Sequence, residues 1–143
     1  MPDGDGGGLD DILGLRLRLA HGAVQRHFTE HFADLGLTQK QVSVLWLIGD
    51  RPGTAQADLA IALQMDRATT MTLVHALEKR GLVTRERSAT DARRIGFALT
   101  DNGVTKLAEA RRAVAVNEAW LRARFTPAEI ATLKELLDRI KTD

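Results

Sequence analysis

The stretch that decides the fold runs from Gln56 to Thr100. It opens with Gln56-Ala-Asp-Leu-Ala-Ile-Ala-Leu63 and continues through Asp66-Arg-Ala-Thr-Thr-Met-Thr-Leu-Val-His-Ala-Leu-Glu-Lys-Arg-Gly81. It closes with Leu82-Val-Thr-Arg-Glu-Arg87 and Ile95-Gly-Phe-Ala-Leu-Thr100, on either side of a basic loop from Ser88 to Arg94. Leu59, Ala60 and Leu63 recur at helical spacing, and Thr54 is placed to cap that helix. Asp66 is a good cap for a second helix over 66–81, and Gly81 is a good stop. In that second helix Thr70, Leu73, Val74 and Leu77 form one apolar stripe, which must face the rest of the domain. The opposite face carries Ala68, Met71 or Thr72, His75 and Lys79, with Arg67 at its mouth. Small and hydrogen-bonding side chains there suit close approach to base edges in a DNA major groove. Taken alone, the same helix also reads as an ordinary solvated face.

The residues that follow tip that balance. Ile95, Phe97 and Leu99 alternate, so their strand is expected to bury one face. Before it lies Ser88-Ala-Thr-Asp91-Ala-Arg93-Arg94. A hairpin tip has no core to serve, so Arg93 and Arg94 need a partner or water. Arginine is the side chain that enters a narrow, electronegative minor groove. Asp91 is placed to hold the Arg93 guanidinium through a charge-assisted pair. A solvated, mobile charged loop is the bland alternative, weakened by the recognition-type helix just before it. Two short helices, a strand, a charged hairpin and a second strand read as a winged helix-turn-helix.

Upstream, Gly36 ends one helix, and Thr38 with Gln41 forms a capping box for the next. Val42, Leu45, Trp46 and Ile48 give that helix its apolar face; Trp46 is read first as core and second as a ligand-stacking ring. Leu9 to Leu35 reads as one long helix whose apolar surface exceeds what a small lobe needs. His27 and His31 stand four apart on it, on one helix face. That is half of a metal site without a third ligand fixed by sequence, so no metal is assigned. Two other readings stay open: histidines hydrogen-bonded to a backbone or an acid, and a ligand-contacting or pH-responsive pair. Downstream, Thr100 or Asp101 caps a long alanine-rich helix. Thr126-Pro127-Ala128-Glu129 then opens a last one, with the stripe Ile130, Leu133, Leu136, Leu137 and Ile140. The first, fifth and sixth helices expose more apolar face than the lobe can cover, which points to a shared dimer core.

The segment Asp66-Arg-Ala-Thr-Thr to Leu77-Glu-Lys-Arg-Gly-Leu-Val83, with Asp91-Ala-Arg93 and Leu99-Thr100-Asp-Asn-Gly103, resembles the MarR family of winged-helix regulators. The resemblance covers about residues 9–141. It implies a homodimer that reads a pseudo-palindrome, with helix 66–81 in the major groove and Arg93 in the adjacent minor groove. The implied DNA contacts are Arg67, Ala68, Thr69, Thr72, His75, Arg93 and Arg94. It further implies a small effector, often an anionic aromatic, bound where the dimer helices meet the DNA-binding lobes, with His27, His31, Trp46 and Arg112 as candidates. At Thr72 and Ala76, where the family often carries a basic residue, this chain has none, which leaves fewer phosphate clamps.

Composition sets the outer limits. A chain of 143 residues can bury a real core. It has no cysteine, which excludes disulfides, thiolate metal sites and cysteine-based peroxide sensing for this chain. No apolar run approaches membrane-spanning length and no basic-then-apolar start signals export, so a cytoplasmic protein without membrane contact is expected. Net charge is only +1, but Asp66 to Arg94 holds seven Lys/Arg against four Asp/Glu, while Met1 to Asp11 holds four acids and no base. The charge is therefore concentrated where a phosphate backbone would lie. No nucleophile–base pair or phosphate-cradling glycine loop supports an enzyme, and no cofactor is called for.

The expected fold is mainly α with a small β wing. The expected plan is a disordered tail over 1–8, a helical dimerisation region from 9–37 and 101–143, and a winged helix-turn-helix DNA-binding lobe over 38–100. The expected function is a dimeric, ligand-responsive repressor on double-stranded DNA. A protein–protein interaction winged helix and a constitutive DNA binder without effector are the alternatives.

Overall fold

The computed structural model describes residues 8–88 and 91–141 and has two compact units. The element order is α1 (Leu13–His31), α2 (Gln39–Asp50), β1 (Thr54–Ala55), α3 (Gln56–Leu63), α4 (Arg67–Lys79), β2 (Val83–Arg87), β3 (Ile95–Leu99), α5 (Asp101–Arg122) and α6 (Pro127–Lys141). One unit runs from Phe32 to Ala113; the other joins the chain through His31 with the chain from Val114 onward. Of the expected tail, residues 1–7 lie outside the described residues.

The first of these units is a helix-turn-helix with a wing. Thr38 accepts from the Gln41 backbone N–H at 3.1 Å while Gln41 Oε1 accepts from the Thr38 N–H at 3.0 Å, so α2 starts on the expected capping box. The sheet is antiparallel in the order β1-β3-β2, and Phe97 at its centre is buried together with Leu45, Ile48, Leu59, Val74 and Leu77. The Thr70 hydroxyl within that core donates to the Asp66 carbonyl at 2.9 Å, which satisfies its polar group. This unit is wider than the 38–100 stretch because the start of α5 packs into it. Leu107 and Ala110 are buried, and Leu107 lies so close to Gly49 of α2 that a side chain at Gly49 would meet it.

The Leu99-Thr100-x-x-Gly103 pattern acquires a physical meaning. Thr100 Oγ1 donates to the Gly81 carbonyl at 2.6 Å and accepts from the Gly103 N–H at 3.0 Å, so one hydroxyl ties the end of α4 to the start of α5. The Thr100 N–H donates to the Leu82 carbonyl at 3.1 Å, and a Cβ on Gly103 would overlap that same carbonyl oxygen. Gly81 itself takes the left-handed conformation, φ +73°, that ends α4 as the sequence predicts.

Three expectations need correction. Thr54 does not cap α3: it is drawn into a third strand, opposite Phe97, and the N-cap position falls to Ala55 without a side-chain bond. Ile95 does not share the buried face of β3. It pairs with Arg87 at the outer end of the hairpin, beyond the core, and is 53% exposed. Leu9 to Leu35 is not one helix: 3₁₀ turns at Leu9–Asp11 and Ala33–Leu35 flank α1, with non-helical backbone at Ile12 and Phe32. A 3₁₀ turn has a three-residue period, so apolar spacing runs on through both interruptions and hides them.

In the other unit, Thr126 and Glu129 make the expected capping box at the start of α6. α6 has no buried residue, and Leu133, Leu136, Leu137 and Ile140 stay exposed along its stripe. Leu9, Ile12, Leu13, Leu17 and Leu19 are likewise exposed. Among the described residues no helix is long and apolar enough to cross a membrane.

Candidate nucleic-acid interface

α4 is fixed at its start by Asp66. Its carboxylate accepts from the Thr69 N–H at 2.7 Å and from the Thr69 hydroxyl at 2.9 Å. The Thr69 backbone bond, followed by the hydroxyl, holds the Asp66 carboxyl below the ordinary aspartate value. Gln56, at the first turn of α3, donates its side-chain amide to the Arg67 carbonyl at 3.2 Å and so ties α3 to the start of α4. Arg67, Ala68, Thr72 and His75 are exposed on the outward face, and Thr69 is half-buried. Thr72 Oγ1 donates to the Ala68 carbonyl at 3.0 Å.

The wing is preorganised by Asp91. Its Oδ1 accepts from the Arg93 backbone N–H at 3.0 Å and pairs with Arg93 Nε at 3.2 Å. The Arg93 backbone N–H, then its guanidinium, keep the Asp91 carboxyl below its usual range. The Ser88 N–H donates to the Arg94 carbonyl at 2.9 Å and closes the hairpin. The Arg93 side chain is 91% exposed, so the pair orients the guanidinium without covering it.

Helix and wing meet around a concavity of about 440 Å³. Arg67 and Met71 line it from α4, Gln56 from α3, Arg85 and Phe97 from the sheet, and Arg93 and Arg94 from the wing. Four arginines thus line one hollow, and with Arg85 paired to Glu78 and Arg93 to Asp91 it stays net basic. Arg85 and Gln56 were not singled out from the sequence. Arg85 stands directly across from Phe97 in the β2–β3 register, with its Cζ 5.9 Å from the ring centre, and Glu78 grips it at 2.9 Å. Strand alternation places Arg85 on the Val83 face, but its partners come from α4 and β3, which local pattern does not reveal.

The four candidate effector residues fall in different units. His27 and His31 belong with α1, where they stack at 4.0 Å between ring centres. His27 also stacks on Trp120 at 3.7 Å and shares a 2.6 Å hydrogen bond between Nδ1 and the buried Asn117 Oδ1. His31 Nδ1 lies 3.0 Å from the His27 carbonyl. His31 thus meets a backbone carbonyl, as one reading expects, while His27 meets an amide rather than an acid. Among the described residues no three His, Cys, Asp or Glu side chains gather into a metal-binding group. Trp46 and Arg112 belong to the Phe32–Ala113 unit. There Arg111 lies over the Trp46 ring, at 5.0 Å, while its Nη2 reaches Asp50 at 3.1 Å; Arg111 and Arg112 are both exposed.

Comparison with known proteins agrees with this geometry. The model of the MarR family matches residues 37–95. A protein of Thauera aromatica described as a transcriptional regulatory protein for the hcr operon is 35% identical over 135 residues, 94% of this chain and 81% of that protein. The transcriptional repressor CouR, solved bound to a 23-mer DNA duplex, superposes with a TM-score of 0.85 at 33% identity over 98% of this chain and 99% of its own. CouR bound to p-coumaroyl-CoA gives a TM-score of 0.87 at 33% identity, with 96% of each chain covered.

Proposed function

The chain belongs to the MarR family of transcriptional regulators, and from that premise we propose that it is a dimeric repressor whose α4 helices and wings read a pseudo-palindromic operator. The observation that carries the proposal is the hollow framed by Arg67, Arg85, Arg93 and Arg94, with the start of α4 on one side and the wing on the other. Arg67, Ala68, Thr69, Thr72 and His75 would meet base edges and nearby phosphates, and Arg93 and Arg94 the minor groove and its backbone. The exposed stripe of α6, together with the exposed leucines from Leu9 to Leu19, supports a second copy as the partner that covers them. The effector proposed is a small aromatic or anionic molecule; the ligand of the CouR complex, p-coumaroyl-CoA, is a larger thioester that carries both an aromatic group and phosphate charge. His27 and His31 in one unit, and Trp46 and Arg112 in the other, are separate candidates for its contacts.

The test is binding of the purified protein to DNA from around its own gene and to a scrambled duplex, across a salt series, with Arg93→Ala alongside. Selective binding that weakens with salt is expected. The variant should bind more weakly, with the slope of log K against log salt reduced by about 0.9 for each phosphate it no longer neutralises. Equal, feeble binding to both duplexes, unchanged by the substitution, would refute the regulator reading and favour a protein partner for the same face.

A further inference from the structure

His75 sits on the outward face of α4, and its hydrogen-bonding character is decided by a residue outside the helix. Arg85 Nη2 lies 3.1 Å from His75 Nε2. A guanidinium has donors only, so Nε2 must accept. An imidazole that accepts at Nε2 carries its proton on Nδ1. Arg85 is itself held in place from two sides. Glu78 accepts from Arg85 Nε at 2.9 Å and from Nη2 at 3.3 Å, and the buried Phe97 ring underlies the guanidinium. Nη2 has two hydrogens, enough for both Glu78 and His75.

We propose that Arg85 is a specificity-determining positioning residue: it locks His75 in the Nδ1–H tautomer, so that His75 meets DNA as a hydrogen-bond donor. This deepens, and rests on, the proposal that α4 reads the major groove. A donor at this point suits guanine N7 or O6, adenine N7 or thymine O4, and finds no acceptor on the cytosine edge. Without Arg85 the ring is free to exchange tautomers, and its Nε2–H form offers the opposite pattern at Nδ1.

Two measurements test this. The first is the ¹⁵N spectrum of histidine-labelled protein without DNA. The wild type should show His75 as a single Nδ1–H tautomer, and Arg85→Met should lose that single form. The second is selection of sites from randomised duplex DNA by the wild type, His75→Ala and Arg85→Met. At the base position where His75→Ala relaxes the preference, Arg85→Met should relax it too, by about three- to tenfold, the worth of one hydrogen bond. Preferences elsewhere should persist while overall affinity falls uniformly from the removed charge. A wild-type His75 protonated on Nε2, or an Arg85→Met protein that keeps the full preference at that position, would overturn the inference. A wild type that enriches no site at all overturns the regulator reading instead. The spectrum tells the two failures apart, because it reads the tautomer without DNA.

Discussion

Gly103→Ala puts a single methyl group where the start of α5 meets the Leu82 carbonyl. In a helix this change ordinarily stabilises, by up to about 1 kcal/mol, and less in a first turn. Here the added Cβ would overlap the carbonyl oxygen of Leu82 and also approach Leu99 Cβ at 3.3 Å. The carbonyl cannot yield freely, because it accepts the Thr100 N–H at 3.1 Å. Nor can the helix start, because Thr100 Oγ1 clamps it to Gly81. Overpacking of this kind costs about 1–3 kcal/mol, and loss of the Thr100 bond adds about 1 kcal/mol. Set against the propensity gain, the net loss is about 1–3 kcal/mol. With an unfolding entropy near 0.3 kcal/mol/K for a chain of this length, the melting temperature should fall by roughly 3–10 °C. Thermal unfolding followed by circular dichroism at matched protomer concentration measures it. Gly22→Ala is the internal control: Gly22 lies in α1 outside the exposed leucine stretch, and its would-be Cβ meets only the flexible end of Arg26 at 3.3 Å, so the same substitution should raise stability by about 0.4–1 kcal/mol. A Gly103→Ala protein that melts at or above the wild-type temperature would refute the reasoning that this joint is sterically closed.

Other perturbations probe other links. Asp66 has a folded pKa below its ordinary value of 3.8, so its contribution is complete above that value and is lost as pH falls through the lower folded pKa. The stability advantage of wild type over Asp66→Asn, read from urea midpoints, should therefore hold at neutral pH and shrink below about pH 3.8. An advantage that grows on acidification would contradict the cap geometry. Leu137→Glu on the exposed α6 stripe should turn the proposed dimer into a monomer in sedimentation, since each apolar side chain that a second copy would bury there is worth about 1.5–3 kcal/mol. An unchanged dimer would place the subunit interface elsewhere. Asn117→Ala should cost about 1–3 kcal/mol by leaving the His27 Nδ1 group without its 2.6 Å partner, and a neutral result would mean that water replaces the amide.

Features set by near neighbours in the chain could be read in advance. The capping boxes at Thr38 and Thr126, the Asp66 cap, the Gly81 stop and the Asp91–Arg93 pair all join residues two to four apart or a single glycine. What escaped depends on partners far off in sequence. Thr54 looks like a cap until Phe97 recruits it into a strand. Ile95 fits a buried alternation until the hairpin carries it past the edge of the core. Arg85 looks like one more charge on a strand until Glu78, His75 and Phe97 converge on it. Arg111 looks like one more charge on α5 until Trp46 and Asp50, some sixty residues earlier, meet it.

The hydrogen-bond inventory of α4 constrains how this chain can recognise DNA. Thr69 and Thr72 suggest versatile hydroxyls, yet each proton is already committed, to the Asp66 carboxylate and the Ala68 carbonyl respectively. In this arrangement both hydroxyls can only accept, which suits the amino groups of cytosine and adenine and does nothing for a phosphate. Donor capacity on α4 then rests on Arg67, His75 and Lys79, and phosphate neutralisation rests on Arg67, Lys79 and the wing, since Thr72 and Ala76 carry no charge. Base discrimination and salt-dependent affinity are thus assigned to largely separate side chains. A substitution at Thr72 should alter which site is preferred and leave the salt slope alone. One at Arg93 should lower the salt slope and change preference only at the base pairs under the wing, where a narrow minor groove favours arginine.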